Sequence, residues 1–237
     1  MVACDWTDQI SFVEIATGAV EKQTCTVSNQ KQTPSLAITP DGSYALVGTY
    51  NGIQLINLKS RSLDPNPISM ELWTPGQFNW GGAAFPPMAI TPDGKTAIAG
   101  SQKALVRIDF AQRKVVGTID GLLPGSIAMT ADGATALVID WSPQYQTPIL
   151  RVLDVTNFRL DGDPVNFDVS PQRAVPINDA WAVVSLASFD GILTLLDVGQ
   201  RREAEKLMDL RSPGDMAIGN GSCVLVVDCD AQTVRMI

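Results

Sequence analysis

The chain writes one phrase more than once. "LAITPDGSYALVG" begins at Leu36 and "MAITPDGKTAIAG" at Met88, and looser copies follow as "IAMTADGATALVI" from Ile127, "AVPINDAWAVVSL" from Ala174 and "MAIGNGSCVLVVD" from Met216. With Ala37, Ala89, Ala128, Val175 and Ala217 as equivalent positions, the interval is about 40 to 50 residues, the period of propeller blades or of helical-hairpin solenoids. Local pattern separates the two. Each copy is a short β-rich run, a tight turn of Pro-Asp-Gly or Asn-Gly type, and a second run rich in Val, Leu and Ala. A third run alternates apolar and polar positions, as in "GIQLINL" (52–58), "ALVRIDF" (104–110), "ILRVLDV" (149–155), "ILTLLDV" (192–198) and "TVRMI" (233–237). Alternation with period two is the mark of a strand. A fourth run closes the unit, clearest in "KVVGTID" (114–120), and "GQRREAEKLMDL" from Gly199 occupies the same place as a polar outer strand although its composition suits a helix.

Four strands per unit at this period predict an all-β chain folded as a β-propeller. The segment 86–133, from "PPMAITPDGKTAIAG" through "RIDFAQRKVVGTI" to "IAMTADG", resembles the YVTN-type repeat of surface-layer proteins, and "ISFVEIATGAVEKQTCTV" (10–27) fits the ending of that repeat. The resemblance implies the propeller fold and, for many members, a place outside the cytoplasm; it implies no activity. The phrase "TAIAGSQ" departs from it by lacking Tyr-Val-x-Asn. The units are expected at 1–34, 35–86, 87–124, 125–172, 173–212 and 213–237 of a single domain spanning 1–237. The first supplies second, third and fourth strands ("MVACD", "ISFVEI", "VEKQTCTV") and the last supplies first, second and third. Six blades with incomplete terminal sheets is the leading arrangement. Five blades is the alternative, with residues 18–27 completing the last sheet across the closure.

Composition narrows the function. The 237 residues carry no histidine, the commonest general base near neutral pH and the commonest transition-metal ligand. Ser-His-Asp hydrolysis, Cys-His chemistry, His-ligated zinc or copper and a histidine-dependent lyase are therefore excluded. Net charge is −8, and the 17 Lys and Arg are scattered rather than clustered, so no electrostatic footprint for nucleic acid exists. No apolar run reaches the roughly 18 to 20 residues that span a bilayer, and Met1 to Asp8 carries acid where a secretion signal carries base. These features predict a cytoplasmic chain by default, with a periplasmic or extracellular place if it is a trimmed form. Cys4, Cys25, Cys223 and Cys229 lack the paired spacing of a zinc site. They read as small buried hydrophobes or, for Cys4 and Cys229, as a disulfide pinning the first and last units.

Two constellations remain as candidate sites. Aromatic residues gather in the loops that follow second strands and in the long segment 64–87: Trp6, Tyr50, Trp73, Phe78, Trp80, Trp141, Tyr145 and Phe189. Loops sit in water and carry binding, so these residues suit a platform for a protein, peptide or carbohydrate; alternatively Trp73, Trp80 and Phe85 fold back as a plug of the channel mouth. The second constellation is acidic. Asp5, Asp140 and Asp228 end equivalent second strands, and carboxylates gathered there suit Ca²⁺. Asp is also the default turn residue, which accounts for Asp41, Asp93 and Asp132 in the Pro-Asp-Gly type turns. The inward Glu that a calcium-dependent lactonase needs is not evident, because Glu14, Glu21, Glu71, Glu203 and Glu205 fall on outer strands or loops. The reading from sequence is a binding or scaffold propeller without a cofactor, as a monomer or strand-exchanged dimer. Its alternative is a metal-dependent hydrolase or lactonase with Ca²⁺ at the aspartates.

Overall fold

A computed structural model describes residues 2–4, 9–14, 16–27, 35–49, 52–70, 87–142, 144, 147–187, 191–210, 213–219, 223–228 and 231–237. The elements described are all strands, and they form six antiparallel sheets, the blades of a six-bladed β-propeller. The chain divides into two compact units, Met1–Asp120 and Gly121–Ile237. Unit 1 holds sheet I, made of β1 (Val2–Cys4), β2 (Gln9–Val13) and β3 (Val20–Thr26). Sheet II follows with β4 (Leu36–Ile38), β5 (Tyr44–Thr49), β6 (Gly52–Asn57), β7 (Ser62–Leu63) and β8 (Ile68–Ser69), and then sheet III with β9 (Met88–Ile90), β10 (Thr96–Gly100), β11 (Ala104–Asp109) and β12 (Lys114–Asp120). Unit 2 holds sheet IV, β13 (Pro124–Met129), β14 (Thr135–Asp140), β15 (Ile149–Asp154) and β16 (Arg159–Leu160); sheet V, β17 (Pro171–Pro176), β18 (Trp181–Leu186), β19 (Ile192–Asp197) and β20 (Arg202–Asp209); and sheet VI, β21 (Pro213–Ile218), β22 (Val224–Asp228) and β23 (Thr233–Met236).

The alternative of five blades fails on pairing. β3 lies against β2, with Ile10 opposite Cys25 and Gln9 opposite Thr26, so residues 20–26 complete the first sheet rather than the last. The polar segment 202–209 is a strand, β20, paired along β19. Its helix-favouring composition yields to the sheet edge that β19 presents, where ladder hydrogen bonds outweigh a weak local preference.

Second strands are apolar on both faces because each face meets a different neighbour. In unit 1, Ala45 and Val47 of β5 pack against Ile10 and Phe12 of β2, while Leu46 between them packs with Ala97 and Ala99 of β10. In unit 2, Ala182, Val184 and Leu186 of β18 meet Leu137 and Ile139 of β14, and Val183 faces Val224 and Val226 of β22. A residue slip in any second strand would exchange these two faces, so the register is held from both sides.

The turns carry the repeat phrase. The Thr39 hydroxyl donates to Asp41 Oδ1 at 2.6 Å and accepts the Tyr44 N–H at 3.0 Å, while Asp41 Oδ1 accepts the Ser43 N–H at 3.0 Å. Thr91 with Asp93 and Thr130 with Asp132 repeat the arrangement. These hydrogen bonds hold the Asp41 carboxyl down at about 2. A second turn type recurs: Asn57, Asp109, Asp154, Asp197 and Asp228 each accept a backbone N–H two to three residues on. The residue four beyond each, Arg61, Arg113, Phe158, Arg201 and Gln232, has φ between 50° and 55°.

Three of those left-handed residues are arginines, and each reaches back to an acid on the preceding sheet. Arg61 grips Glu21 with Nε at 3.0 Å and Nη2 at 2.8 Å and lies over the Phe12 ring. Arg113 forks onto both oxygens of Asp64 at 2.7 Å. Arg201 pairs with Asp161 above Gly162, whose φ is 62° and where a Cβ would collide with the guanidinium. The Arg113 fork lowers the Asp64 carboxyl to about 2 from its ordinary 3.8. A carboxyl depressed in the folded state contributes stability above its unfolded value and loses it as pH falls through the folded value. Urea denaturation of the native chain should therefore show stability declining from about pH 4 toward pH 2, and Asp64→Asn should lower stability at neutral pH while making that decline shallower.

Candidate functional site

Of the aspartates that end second strands, Asp140 and Asp228 are described; Asp5 lies outside the described residues. Asp140 is fully buried. Its Oδ1 accepts the N–H groups of Leu123 and Ser142, each at 3.0 Å, together with the Ser142 hydroxyl, and its Oδ2 accepts Nε of Arg151 at 3.1 Å. Asp228 is 2% exposed. Its Oδ2 accepts Nη2 of Arg235 at 2.9 Å, and its Oδ1 caps the following turn through the Ala231 N–H at 3.1 Å. The two pairs are the same device. Asp140 stands opposite Ile149 and Asp228 opposite Thr233, and in each case the arginine lies two residues further along the third strand.

Such carboxylates are occupied. Burying a charge requires a counter-charge and hydrogen bonds to its remaining lone pairs, and each of these acids has received both. Among the described residues no group of three or more His, Cys, Asp or Glu is placed to hold a metal ion. Equivalent second-strand ends carry Thr49 and Ser101, buried at 4% and 7% exposure, whose hydroxyls close the same corner onto the Gly52 and Ala104 carbonyls. The position is a corner brace in each case.

Of the aromatic candidates, Trp6, Tyr50, Trp73, Phe78, Trp80, Tyr145 and Phe189 lie outside the described residues, as does Phe85. Trp141 is described. It is half-buried, packs against the core of sheets IV and V, and lays its indole over Gly125, where a Cβ would come within 2.6 Å of the ring. Its indole N–H is buried with no hydrogen-bond partner among the described residues. Of the cysteines, Cys25 is a buried thiol outside any disulfide, its Sγ donating to the Arg61 carbonyl at 2.9 Å, and Cys223 is a half-buried thiol, likewise not in a disulfide. Burial pushes the Cys25 thiol up and keeps it protonated. The side chains of Cys4 and Cys229 lie outside the described residues.

A cavity that sequence reasoning missed lies in unit 1 between sheets II and III, at the end where first strands turn into second. It has a volume of about 300 Å³. Leu46 and Leu55 line its floor, Tyr44 and Phe110 are its aromatic residues, Pro40 and Pro92 come from the two repeat turns, and Asp41, Asp93 and Arg113 supply charge. Each charge has a fixed partner: Asp41 and Asp93 brace their own turns, and Arg113 is forked onto Asp64. The readable signal was that the repeat turn stands at two neighbouring blades, so that its Pro and Asp face one another's copy across a seam. Turn chemistry explained those residues separately and hid their convergence.

Removing one member of a buried pair strands the other. Asp140→Ala should cost about 3–5 kcal/mol in chemical denaturation, because Arg151 is only 15% exposed and loses its carboxylate. Asp228→Ala should cost about 1–2 kcal/mol, since Arg235 is 47% exposed and water can take over. Equal costs at the two positions would contradict the brace as described.

No protein-family model matches the chain, and no curated protein matches it in sequence. Solved structures do match in three dimensions. Kuenenia stuttgartiensis hydrazine synthase is similar with a TM-score of 0.78 at 17% identity, over 97% of this chain and 70% of that one. The dihydro-heme d1 dehydrogenase NirN, in complex with DHE, is similar with a TM-score of 0.64 at 15% identity, over 90% of this chain and 45% of that one. The chain thus spans less than half of NirN. Identity this low carries the fold and no activity. The likeness corrects the cofactor expectation on both counts. An enzyme that handles a haem-type ligand is built on this fold, so working without a cofactor is not a property of the architecture. The calcium alternative falls as well, since Asp140 and Asp228 are spent on arginines. What the likeness to both neighbours carries is the β-propeller fold, which this chain builds from six antiparallel sheets.

Proposed function

We propose that the chain is a binding or scaffold propeller, which holds a protein, peptide or carbohydrate ligand by shape and aromatic contact and performs no chemistry on it. The observation that carries this reading is the unit 1 cavity. Its aromatic and proline residues offer contact area, and its charged groups offer no proton to transfer. Asp41 is held at about 2 and Asp93 is lowered by the Thr91 hydroxyl and the Lys95 N–H. Arg113 is raised by Asp64. A general acid or base works best with its pKa near the operating pH, and each of these groups has been driven away from neutrality. On this reading the aromatic residues Trp6, Tyr50, Trp73, Phe78, Trp80, Tyr145 and Phe189, which follow second strands or lie in 64–87, would form a binding surface separate from this cavity, and Trp141 is a packed residue of sheets IV and V.

The hydrolase alternative is not favoured, because its described carboxylates are the arginine-paired braces. A haem-type ligand would have to take its axial ligand from Cys, Met or Tyr rather than from histidine. The chain has no histidine, and Cys25 is buried in the seam between sheets I and II with its thiol committed to the Arg61 carbonyl.

Screening the purified chain against peptide and glycan arrays, followed by calorimetry on the hits, tests the reading. A specific ligand should appear, and Phe110→Ala or Trp80→Ala should weaken it at least about fivefold with the fold intact. Trp141→Ala should instead lower stability by about 2 kcal/mol or more, as loss of a packed aromatic does. Turnover of a hit on incubation, or no ligand on either array, would overturn the proposal.

A further inference from the structure

Two copies of the repeat turn carry more than the turn requires. The copy in sheet IV has Ala131 where sheets II and III have Pro40 and Pro92, and its Thr130 and Asp132 make the same hydrogen bonds. The turn of sheet V is closed by the neutral Asn178, whose Oδ1 accepts the Ala180 and Trp181 N–H groups at 2.9 Å each. Neither a proline ring nor a negative charge is therefore needed to close such a turn. In sheets II and III both are present. Pro40, Asp41, Pro92 and Asp93 are exposed, and all four line the unit 1 cavity. The two turns come close enough that a Cβ on Gly94 would meet Pro40 Cδ at 3.5 Å.

The charge of this cavity is one-sided. Arg113 donates through both Nη atoms to the two oxygens of Asp64, and through Nη1 to the Asn66 carbonyl at 3.0 Å. Its charge is cancelled and its fork is taken. The hydrogen bonds that Asp41 and Asp93 accept come from the hydroxyls of Thr39, Ser43 and Thr91 and from backbone N–H groups. These neutral donors fix the carboxylates without discharging them. Lys95 Nζ stands 3.9 Å from Asp93 Oδ2, but its side chain is 82% exposed, and so loose a pair is screened by water and yields to a better-held cation. The same cavity is lined by Tyr44 and Phe110, and aromatic rings attract cations through their faces.

Resting on the reading of this cavity as a binding site, we propose that its occupant is the basic side chain of an extended peptide. The arginine or lysine head pairs with Asp41 and Asp93, its aliphatic stem lies against Tyr44 and Phe110, and the flanking peptide runs along Pro40 and Pro92. Charge selects this class. An anion meets two carboxylates and an arginine already spent, and a neutral sugar leaves both charges unused. Size agrees: at about 300 Å³ the cavity stands at the small end of the roughly 300–1,000 Å³ of ligand pockets, room for one long side chain rather than for a run of sugar rings. Aromatic grooves are also the surfaces on which extended, proline-rich peptides dock.

Nuclear magnetic resonance titration of the isotope-labelled full chain tests the proposal. The probes are pentapeptide mixtures fixed in the middle as Arg, Lys, Leu or Glu and random among uncharged residues elsewhere. The Arg and Lys mixtures should shift the Gly42 and Gly94 amides and bind at least about tenfold more tightly than the Leu and Glu mixtures. Asp93→Asn keeps the turn's acceptor and should weaken the Arg mixture at least about fivefold. Asp132→Asn removes the same charge from the same turn in sheet IV, outside the cavity lining, and should leave that affinity unchanged. Equal binding of the Arg and Leu mixtures at Gly42 and Gly94 would overturn the charge selection while leaving the cavity a binding site. Binding of the Arg mixture that spares those amides, or that both Asn variants weaken alike, would be the general attraction of a chain of net charge −8 and would overturn the proposal. No shift with any mixture overturns it too, and the peptide and glycan arrays then decide the broader reading separately. Should Asp93→Asn fail to fold, the order of the four mixtures on the native chain decides alone.

Discussion

The contact on which neighbouring blades depend is an arginine held in a backbone conformation that arginine disfavours. Arg61, Arg113 and Arg201 take φ between 52° and 55°, a region that costs an L-residue of the order of 1–2 kcal/mol and is the natural place for glycine. Each returns a charge-assisted pair to the sheet before it, on Glu21, Asp64 and Asp161. The left-handed residue ends a tight turn, so its side chain leaves the hairpin sideways rather than along the strand. A residue in ordinary strand geometry would aim its guanidinium above or below its own sheet. Phe158 and Gln232 take the same conformation without a charge, so the turn itself comes first and the clamp is an addition to it.

The same economy governs the acids. A carboxylate set at the end of a second strand is dehydrated by the next hairpin and must find a cation or be replaced. Asp140 and Asp228 find arginines on the adjoining strand. Thr49 and Ser101 avoid the charge and close the corner with a hydroxyl. Leu186 gives up polarity there altogether and joins the core of sheets IV and V. One position thus accepts three solutions to one desolvation problem, and function is not needed to explain any of them.

Legibility from sequence followed the range of the interaction. Strand identity was legible because alternation and turn chemistry are local: "ALVRIDF" gave β11 and "KVVGTID" gave β12 almost residue for residue. Six sheets with three-stranded first and last members were legible from the repeat count. The aspartates were misjudged because their partners are not local in pattern. Arg151 sits eleven residues from Asp140 and pairs with it only through the hairpin register. The cavity was hidden for the same reason: Tyr44 and Phe110 come from different sheets, and nothing in either segment names the other. Trp141 read as a loop aromatic, yet Gly125, sixteen positions earlier, leaves the space in which its ring lies.

A repeat that builds its blades with one chemistry leaves its individuality in the seams. Every blade needs two apolar faces, a braced corner and a turn that presents a side chain sideways, so these features recur and identify the architecture rather than a ligand. What differs is what fills the space between two repeats of the same turn. Between sheets II and III the turns set Pro40 and Pro92 around Tyr44 and Phe110. A smaller residue in place of Phe110 would open that space, whereas Leu46, fully buried against Ala97 and Ala99, belongs to the core as well and is not free to change. Specificity in such a chain can therefore shift by substitution at the seams while the turns, braces and clamps that define the fold stay as they are.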